Sequence, residues 1–174
     1  LIDIPMLQVL QPDGTVHPKA ELPEITEQCS LKILHTMQYI RLLDERMVAA
    51  QRQGRISFYL ACTGEEASTI GSAAALEPQD MIMSQYREQG ALAYRGFTSK
   101  EFMDQMFSNQ NELNKGRQMP IHYGSKVLNF MTISSPLGTQ IPQASGYSYG
   151  QKMAGHEAIT ICYFGEGAAS EGDF

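Results

Sequence analysis

Seven consecutive residues, Ala158 to Phe164 (Ala-Ile-Thr-Ile-Cys-Tyr-Phe), limit most severely how this chain can fold. The run is nearly all apolar and breaks directly into Gly165-Glu166-Gly167-Ala168-Ala169-Ser170-Glu171-Gly172-Asp173. A strand without polar alternation is expected to be buried on both faces, as in a parallel sheet covered by helices. A glycine-rich turn at the carboxyl end of such a strand is where open α/β sheets bind ligands. The fold expected is therefore α/β, a mostly parallel sheet flanked by helices.

The rest of the chain supplies the other layers. Leu1 to Leu22, with three prolines and a turn signal at Pro12-Asp13-Gly14, reads as an extended arm, and residues 23–174 as the α/β domain. Helical spacing runs from Pro23 to Gln53, with Leu31, Leu34, Ile40, Leu43 and Met47 on the apolar side and Gly54 as the stop. Thr63-Gly64-Glu65-Glu66 and Thr98-Ser99-Lys100-Glu101 both have capping-box spacing and should each open a helix. Met81–Met83 and Phe130–Ile133 read as short strands, and Gly138–Gly155 as a helix of small residues. Ser108–Asn129 is polar and too long for a plain connection, which marks it as functional or disordered. The chain starts at Leu1 without methionine and stops at Phe174, inside a loop of functional character, so it reads as the N-terminal part of a longer protein whose domain is truncated on its C-terminal side.

Composition excludes several classes. Thirteen basic against nineteen acidic side chains give a net charge of −6, which argues against nucleic acid or an anionic membrane as partner. Cys29, Cys62 and Cys162 form no CxxC pair, so neither a disulfide scaffold nor a zinc site is legible. No apolar run approaches the length of a membrane span. Neither a signal peptide nor an Arg- and Ser-rich transit segment is visible. The family resemblance carried by the motifs below implies the cytoplasm if the chain is bacterial, the favoured expectation, or the mitochondrial matrix if it is eukaryotic.

Chemistry concentrates at three strand ends. The Gly165 loop carries Glu166, Glu171 and Asp173, and carboxylates beside a diphosphate repel it unless a divalent cation such as Mg²⁺ lies between them. A dinucleotide fingerprint would need glycine where Ser170 stands, which counts against a nicotinamide site. The same letters also suit a plain strand-to-helix turn. Gln85-Tyr86-Arg87-Glu88 offers a guanidinium for a phosphate, or, equally well taken alone, a surface ion pair with Glu88. Thr132 to Gln140 sets hydroxyl and amide oxygens between strand and helix, with Leu137 free to meet a flat apolar surface, or serves only to cap that helix. His35 reads as partly buried, His17 and His156 as surface residues, and His122 as the one histidine to test for catalysis. Cys162 reads as an inert core thiol.

In this order, Gln51–Tyr59 (Gln-Arg-Gln-Gly-Arg-Ile-Ser-Phe-Tyr), Gln85–Glu88, Lys115–Pro120 (Lys-Gly-Arg-Gln-Met-Pro), Thr132–Gln140 and Gly165–Asp173 resemble one family. It is the alpha subunit of the thiamine-diphosphate-dependent dehydrogenase of the branched-chain 2-oxo acid complex (2-oxoisovalerate dehydrogenase). The likeness runs from Pro23 to the end. It implies a thiamine-diphosphate-binding fold in which Glu166 is a Mg²⁺ ligand and Gly167 and Ala168 meet the diphosphate through their backbones. Tyr86 and Arg87, with Gln85 beside them, would hold the diphosphate, and Ser135 would touch the cofactor. Leu137 would support its bent conformation, and Ser134, Pro136, Thr139 and Gln140 would hold K⁺. Gly138 departs from the alanine usual in the family.

The implied reaction is oxidative decarboxylation of a branched-chain 2-oxo acid with acyl transfer to a lipoyl-bearing acyltransferase. The implied assembly is an alpha2-beta2 heterotetramer, with the catalytic glutamate on the beta subunit. Further cofactor ligands fall in family segments beyond Phe174, so these residues alone are expected to be inactive. A pyruvate or acetoin dehydrogenase alpha subunit is the nearest alternative; a non-catalytic assembly module is the alternative from another class.

Overall fold

A computed structural model describes residues 8–174; the first seven residues of the expected arm lie outside it. The expected turn at Pro12–Gly14 is present, with Gly14 N–H donating to the Gln11 carbonyl and Leu10 bridging Val16.

The first helix, α1, spans Glu27–Arg52. It starts later than Pro23 because Thr26 supplies the cap: its extended backbone lets the hydroxyl accept the Cys29 N–H at 3.2 Å. It ends where expected. Gly54, at φ +70°, turns the chain so that Gly54 N–H reaches Gln51 and Arg55 N–H reaches Ala50. Leu31, Leu34 and His35 are exposed, contrary to expectation; burial begins only at Ile40, Leu43, Asp44 and Met47, where other elements cover the helix.

Helix α2 (Glu66–Ala74) lacks the expected Thr63 cap. Gly64 at φ +93° and a Glu65 N–H to Cys62 carbonyl bond close a turn that leaves Thr63 too early in the chain. Glu66 still reaches back, its Oε2 accepting the Gly64 N–H at 2.8 Å. Strand β1 (Met81–Met83) follows, then α3 (Gln89–Tyr94), for which no start signal was read, and α4 (Ser99–Met106). The Thr98–Glu101 capping box on α4 is complete. Helix α5 (Gln140–Met153) and strand β2 (Thr160–Cys162) complete the regular elements before a 3₁₀ turn at Gly167–Ser170.

The sheet is parallel, with Met81, Ile82 and Met83 opposite Thr160, Ile161 and Cys162. On the other edge of β1, Ile82 donates to the Asn129 carbonyl at 2.9 Å and accepts from Met131 N–H at 2.8 Å. The expected strand at Phe130–Ile133 is reduced to this one parallel bridge, because Phe130 also pairs back on Ser125. Alternation along β1 points Ile82 into the larger core, with Ile40, Leu43, Phe97, Phe102 and Phe130, while Met81 and Met83 pack on Ala144 of α5. Helical layers thus lie on both faces, the α/β arrangement expected. The strand expected over 158–164 shortens to β2 and is half-buried, with Ile159 and Phe164 exposed, because nothing among the described residues covers its second face or outer edge.

Segment 108–129 is built rather than structureless. Glu112 accepts the N–H groups of Asn114 and Gly116 at 2.8 and 2.7 Å. Ile121, His122 and Tyr123 are buried, and the Tyr123 ring meets Phe102 edge-on at 4.9 Å.

Candidate functional site

Three segments leave the carboxyl edge of the sheet: Ser84–Glu88 after β1, Ser134–Gln140 after the Phe130 bridge, and Gly165–Asp173 after β2. Parallel pairing forces all three exits to one side, the usual ligand side of an α/β sheet.

Gln85 joins the first exit to the third. Its side chain is buried and Oε1 accepts the Gly165 N–H at 3.1 Å, while Nε2 is buried without a partner among the described residues. Tyr86 and Arg87 are half-buried and, with Glu65, Gln85, Glu88, Phe164 and Gly165, line an open cavity of about 200 Å³. The ion pair with Glu88 allowed by the sequence does not form; Glu88 Oε2 takes the Arg87 backbone N–H at 3.2 Å instead. The Arg87 guanidinium donates to the Ala61 carbonyl at 3.4 Å and lies 6.0 Å from the centre of the Tyr86 ring, and no carboxylate pairs with it among the described residues. Burial raises the Glu88 carboxyl above its ordinary range, with the Arg87 N–H opposing the shift.

The second exit is a ring of oxygens. Thr139 Oγ1 lies 2.8 Å from Ser134 Oγ and 3.0 Å from the Pro136 carbonyl, and Gln140 Nε2 donates to the Ser134 carbonyl at 2.9 Å. Gln140 Oε1 is buried with no partner among the described residues. Ser135 and Leu137 are exposed. Gly138 takes φ +83°, and a Cβ there would meet Glu171 Cβ at 3.4 Å and the Ala168 carbonyl at 3.6 Å. The second and third exits are therefore in contact.

The third exit is lightly held. Glu166 and Gly167 are exposed, Ala168 is buried, and the Ala168 N–H closes the turn on the Gly165 carbonyl at 3.1 Å. Glu171 and Asp173 are exposed beside Gly138. No three His, Cys, Asp or Glu side chains converge among the described residues. Tyr86 and Arg87 make no hydrogen bond to Ser134–Gln140 or to Glu166–Ala168 among those residues.

Two buried groups beneath the site stand out. Asp44 accepts the Tyr59 hydroxyl at 2.6 Å, the Cys62 N–H at 2.8 Å and Gln89 Nε2 at 3.1 Å, fixing the Ala61–Cys62 backbone that meets Arg87. Sequence reasoning passed over it, although a carboxylate on the apolar stripe Ile40, Leu43, Met47 was a readable signal. His122 does meet the site: Nε2 is 2.8 Å from Ser135 Oγ and Nδ1 is 3.0 Å from the Pro120 carbonyl. Cys162 is half-buried rather than in the core, because the face of β2 it sits on is only partly covered, and burial raises its thiol.

A sequence model of the dehydrogenase E1 component family matches residues 34–174. The chain is 51% identical over 171 residues to the mitochondrial 2-oxoisovalerate dehydrogenase subunit alpha of Caenorhabditis elegans, covering 98% of this chain and 40% of that one. It is 49% identical over 171 residues to subunit alpha 1 of the same mitochondrial enzyme from Arabidopsis thaliana, covering 98% of this chain and 36% of the relative. With the Dictyostelium discoideum alpha subunit it shares 50% identity over 171 residues, 98% of this chain and 39% of the relative. The chain thus spans well under half the length of these curated relatives. It belongs to the dehydrogenase E1 component family.

Proposed function

We propose that these residues form the diphosphate- and metal-binding half of a thiamine diphosphate site in the alpha subunit of a branched-chain 2-oxo acid dehydrogenase. The observation that carries this reading is the junction of three strand exits: Gln85 bonded to Gly165, and Gly138 seated on the Ala168–Asp173 turn.

The donors fit the groups concerned. A guanidinium with no carboxylate partner among the described residues, and a buried Gln85 Nε2 that has no partner among them, suit a diphosphate. Glu166 supplies an exposed carboxylate, and Mg²⁺ is commonly held by one or two carboxylates together with phosphate oxygens. Ser134, Pro136, Thr139 and Gln140 present neutral oxygens, one of them the orphaned Gln140 Oε1, the type of donor that K⁺ takes. When bound, thiamine diphosphate supplies the carbon chemistry of 2-oxo acid decarboxylation. The chain's own residues do the holding. Arg87 and Gln85 would hold the anionic end, Glu166 would be a ligand to the metal, and Leu137 would give the organic part an apolar support.

The partners are then a beta subunit, which completes the site in an alpha2-beta2 assembly, and a lipoyl-bearing acyltransferase that takes the acyl group. The relatives named above are mitochondrial, which supports the matrix side of the sequence expectation. The test is calorimetry of thiamine diphosphate on the protein at the length of its relatives, co-expressed with a beta subunit. Binding should require Mg²⁺ and weaken at least tenfold in Glu166→Ala, since losing one charged ligand costs about 1.5–3 kcal/mol. Binding indifferent to Mg²⁺ and to Glu166 contradicts the reading.

A further inference from the structure

We infer that His122 is a positioning residue that takes the hydroxyl proton of Ser135, so that Ser135 meets the ligand as a hydrogen-bond acceptor. This rests on the reading of the site as a thiamine diphosphate site.

The His122 tautomer is set at Pro120. Its carbonyl can only accept, so His122 Nδ1, 3.0 Å away, carries the ring proton. In the neutral ring Nε2 is then an acceptor, and among the described residues the group it meets is Ser135 Oγ at 2.8 Å. Serine has one hydroxyl proton, and this bond uses it. Ser135 is exposed while His122 is only 3% exposed, so what remains open on the ligand side of the loop is the oxygen's lone pairs.

The backbone is arranged to present the imidazole. Ile121, a β-branched residue, sits at φ +66°, a conformation that persists only where its surroundings impose it and that clusters at functional sites. Gln105 imposes it: Oε1 accepts the Ile121 N–H at 3.0 Å and Nε2 donates to the Met119 carbonyl at 2.6 Å. On the other side of His122, Ile133 N–H donates to the Tyr123 carbonyl at 3.0 Å. Gly124 packs so closely on Thr132 that a Cβ would fall 2.7 Å from the Thr132 Cα. Segments 121–124 and 132–135 are thereby locked side by side, with the imidazole held beneath the hydroxyl.

An acceptor at Ser135 suits a donor on the ligand, which is either an N–H of the cofactor's organic part or a metal-bound water. It does not suit a phosphate oxygen. The two roles predict opposite results. If Ser135 accepts, freeing its proton weakens binding; if Ser135 donates to phosphate, freeing its proton leaves binding unchanged or tighter.

The experiment is calorimetry of Mg²⁺–thiamine diphosphate, and separately of Mg²⁺–inorganic diphosphate, on the co-expressed complex. The variants are His122→Asn, whose amide falls short of Ser135, His122→Gln, whose amide oxygen reaches the place of Nε2, Ser135→Ala, and the double variant His122→Asn/Ser135→Ala. His122→Asn and Ser135→Ala should each weaken the thiamine diphosphate Kd by about tenfold. The double variant should be no weaker than either single, and His122→Gln should return to within about threefold of wild type. Inorganic diphosphate affinity unchanged in both single variants assigns the donor to the organic part; a parallel loss assigns it to metal-bound water. His122→Asn binding as tightly as wild type, or additive losses in the double variant, overturns the role. Ser135→Ala is an exposed change that folds even where a histidine variant does not, and unchanged cofactor affinity in it overturns the role alone. A wild-type complex that binds no thiamine diphosphate overturns the reading of the site and this role with it.

Discussion

The segment from Glu112 to Gly124 and the loop from Gly165 to Asp173 are both irregular, and both border the same site, yet they are held in opposite ways. In the first, buried side chains clamp the backbone: Glu112 on Asn114 and Gly116, Gln105 on Met119 and Ile121, Tyr123 among aromatic rings. In the second, Glu166, Glu171 and Asp173 are exposed, and the ties to the rest of the chain are the Gln85–Gly165 bond and the packing against Gly138. The difference separates a scaffold from a receptor. The clamped segment carries its shape without a ligand, whereas the Gly165 loop has its acids turned to solvent, as expected of groups that a bound cation and diphosphate would engage.

The comparison breaks first at Gly124. Gly124→Ala drives a Cβ to 2.2 Å from Thr132 Oγ1 and against backbone as well, so it should destabilise the fold by about 3 kcal/mol in urea unfolding. An alanine tolerated at no cost would show that the two segments are not locked together. Gln105→Ala comes next. It strands the Ile121 N–H and Met119 carbonyl and should cost about 2 kcal/mol, with the loss of hydrogen-exchange protection confined to 119–123. Equal loss across the Gly165 loop would merge the two regions into one unit.

Gly138→Ala is smaller, about 1 kcal/mol, because the contacts a Cβ makes there are ordinary and only the left-handed backbone is costly. Its effect should appear in cofactor affinity as well as in stability, since the loop seats the Ala168–Asp173 turn. The smallest effect is electrostatic. Burial raises the Glu88 carboxyl, so its favourable neutral form is retained below the ordinary carboxylate value and lost as pH rises through the raised folded value. Glu88→Gln, which cannot ionise, should therefore be slightly more stable than wild type at neutral pH, and the gain should vanish near pH 4, close to the unperturbed value of about 4.3. A gain independent of pH would show that burial of charge is not its cause.

Much of this arrangement could be read from the residues. The capping box at Thr98, the stop at Gly54 and the strand at Met81–Met83 follow from local rules, and the family resemblance named the strand exits that the fold brings to one edge. What was not legible depended on tertiary company. Leu31 and Leu34 have helical spacing but no element among the described residues covers them, and Phe130 was diverted from a strand by pairing with Ser125. Thr63 lost its cap to a turn at Gly64. The contact of His122 with Ser135 joins residues thirteen apart through a strained isoleucine, and no periodicity encodes that.

The most direct test of the central claim, that three strand exits form one ligand site beside a preformed scaffold, is native-state hydrogen exchange on the complex with and without Mg²⁺–thiamine diphosphate. The account predicts new protection in residues 134–140 and 165–171, with 112–124 already protected and little changed. Protection gained chiefly in 112–124, with the Gly165 loop as open as before, would contradict it.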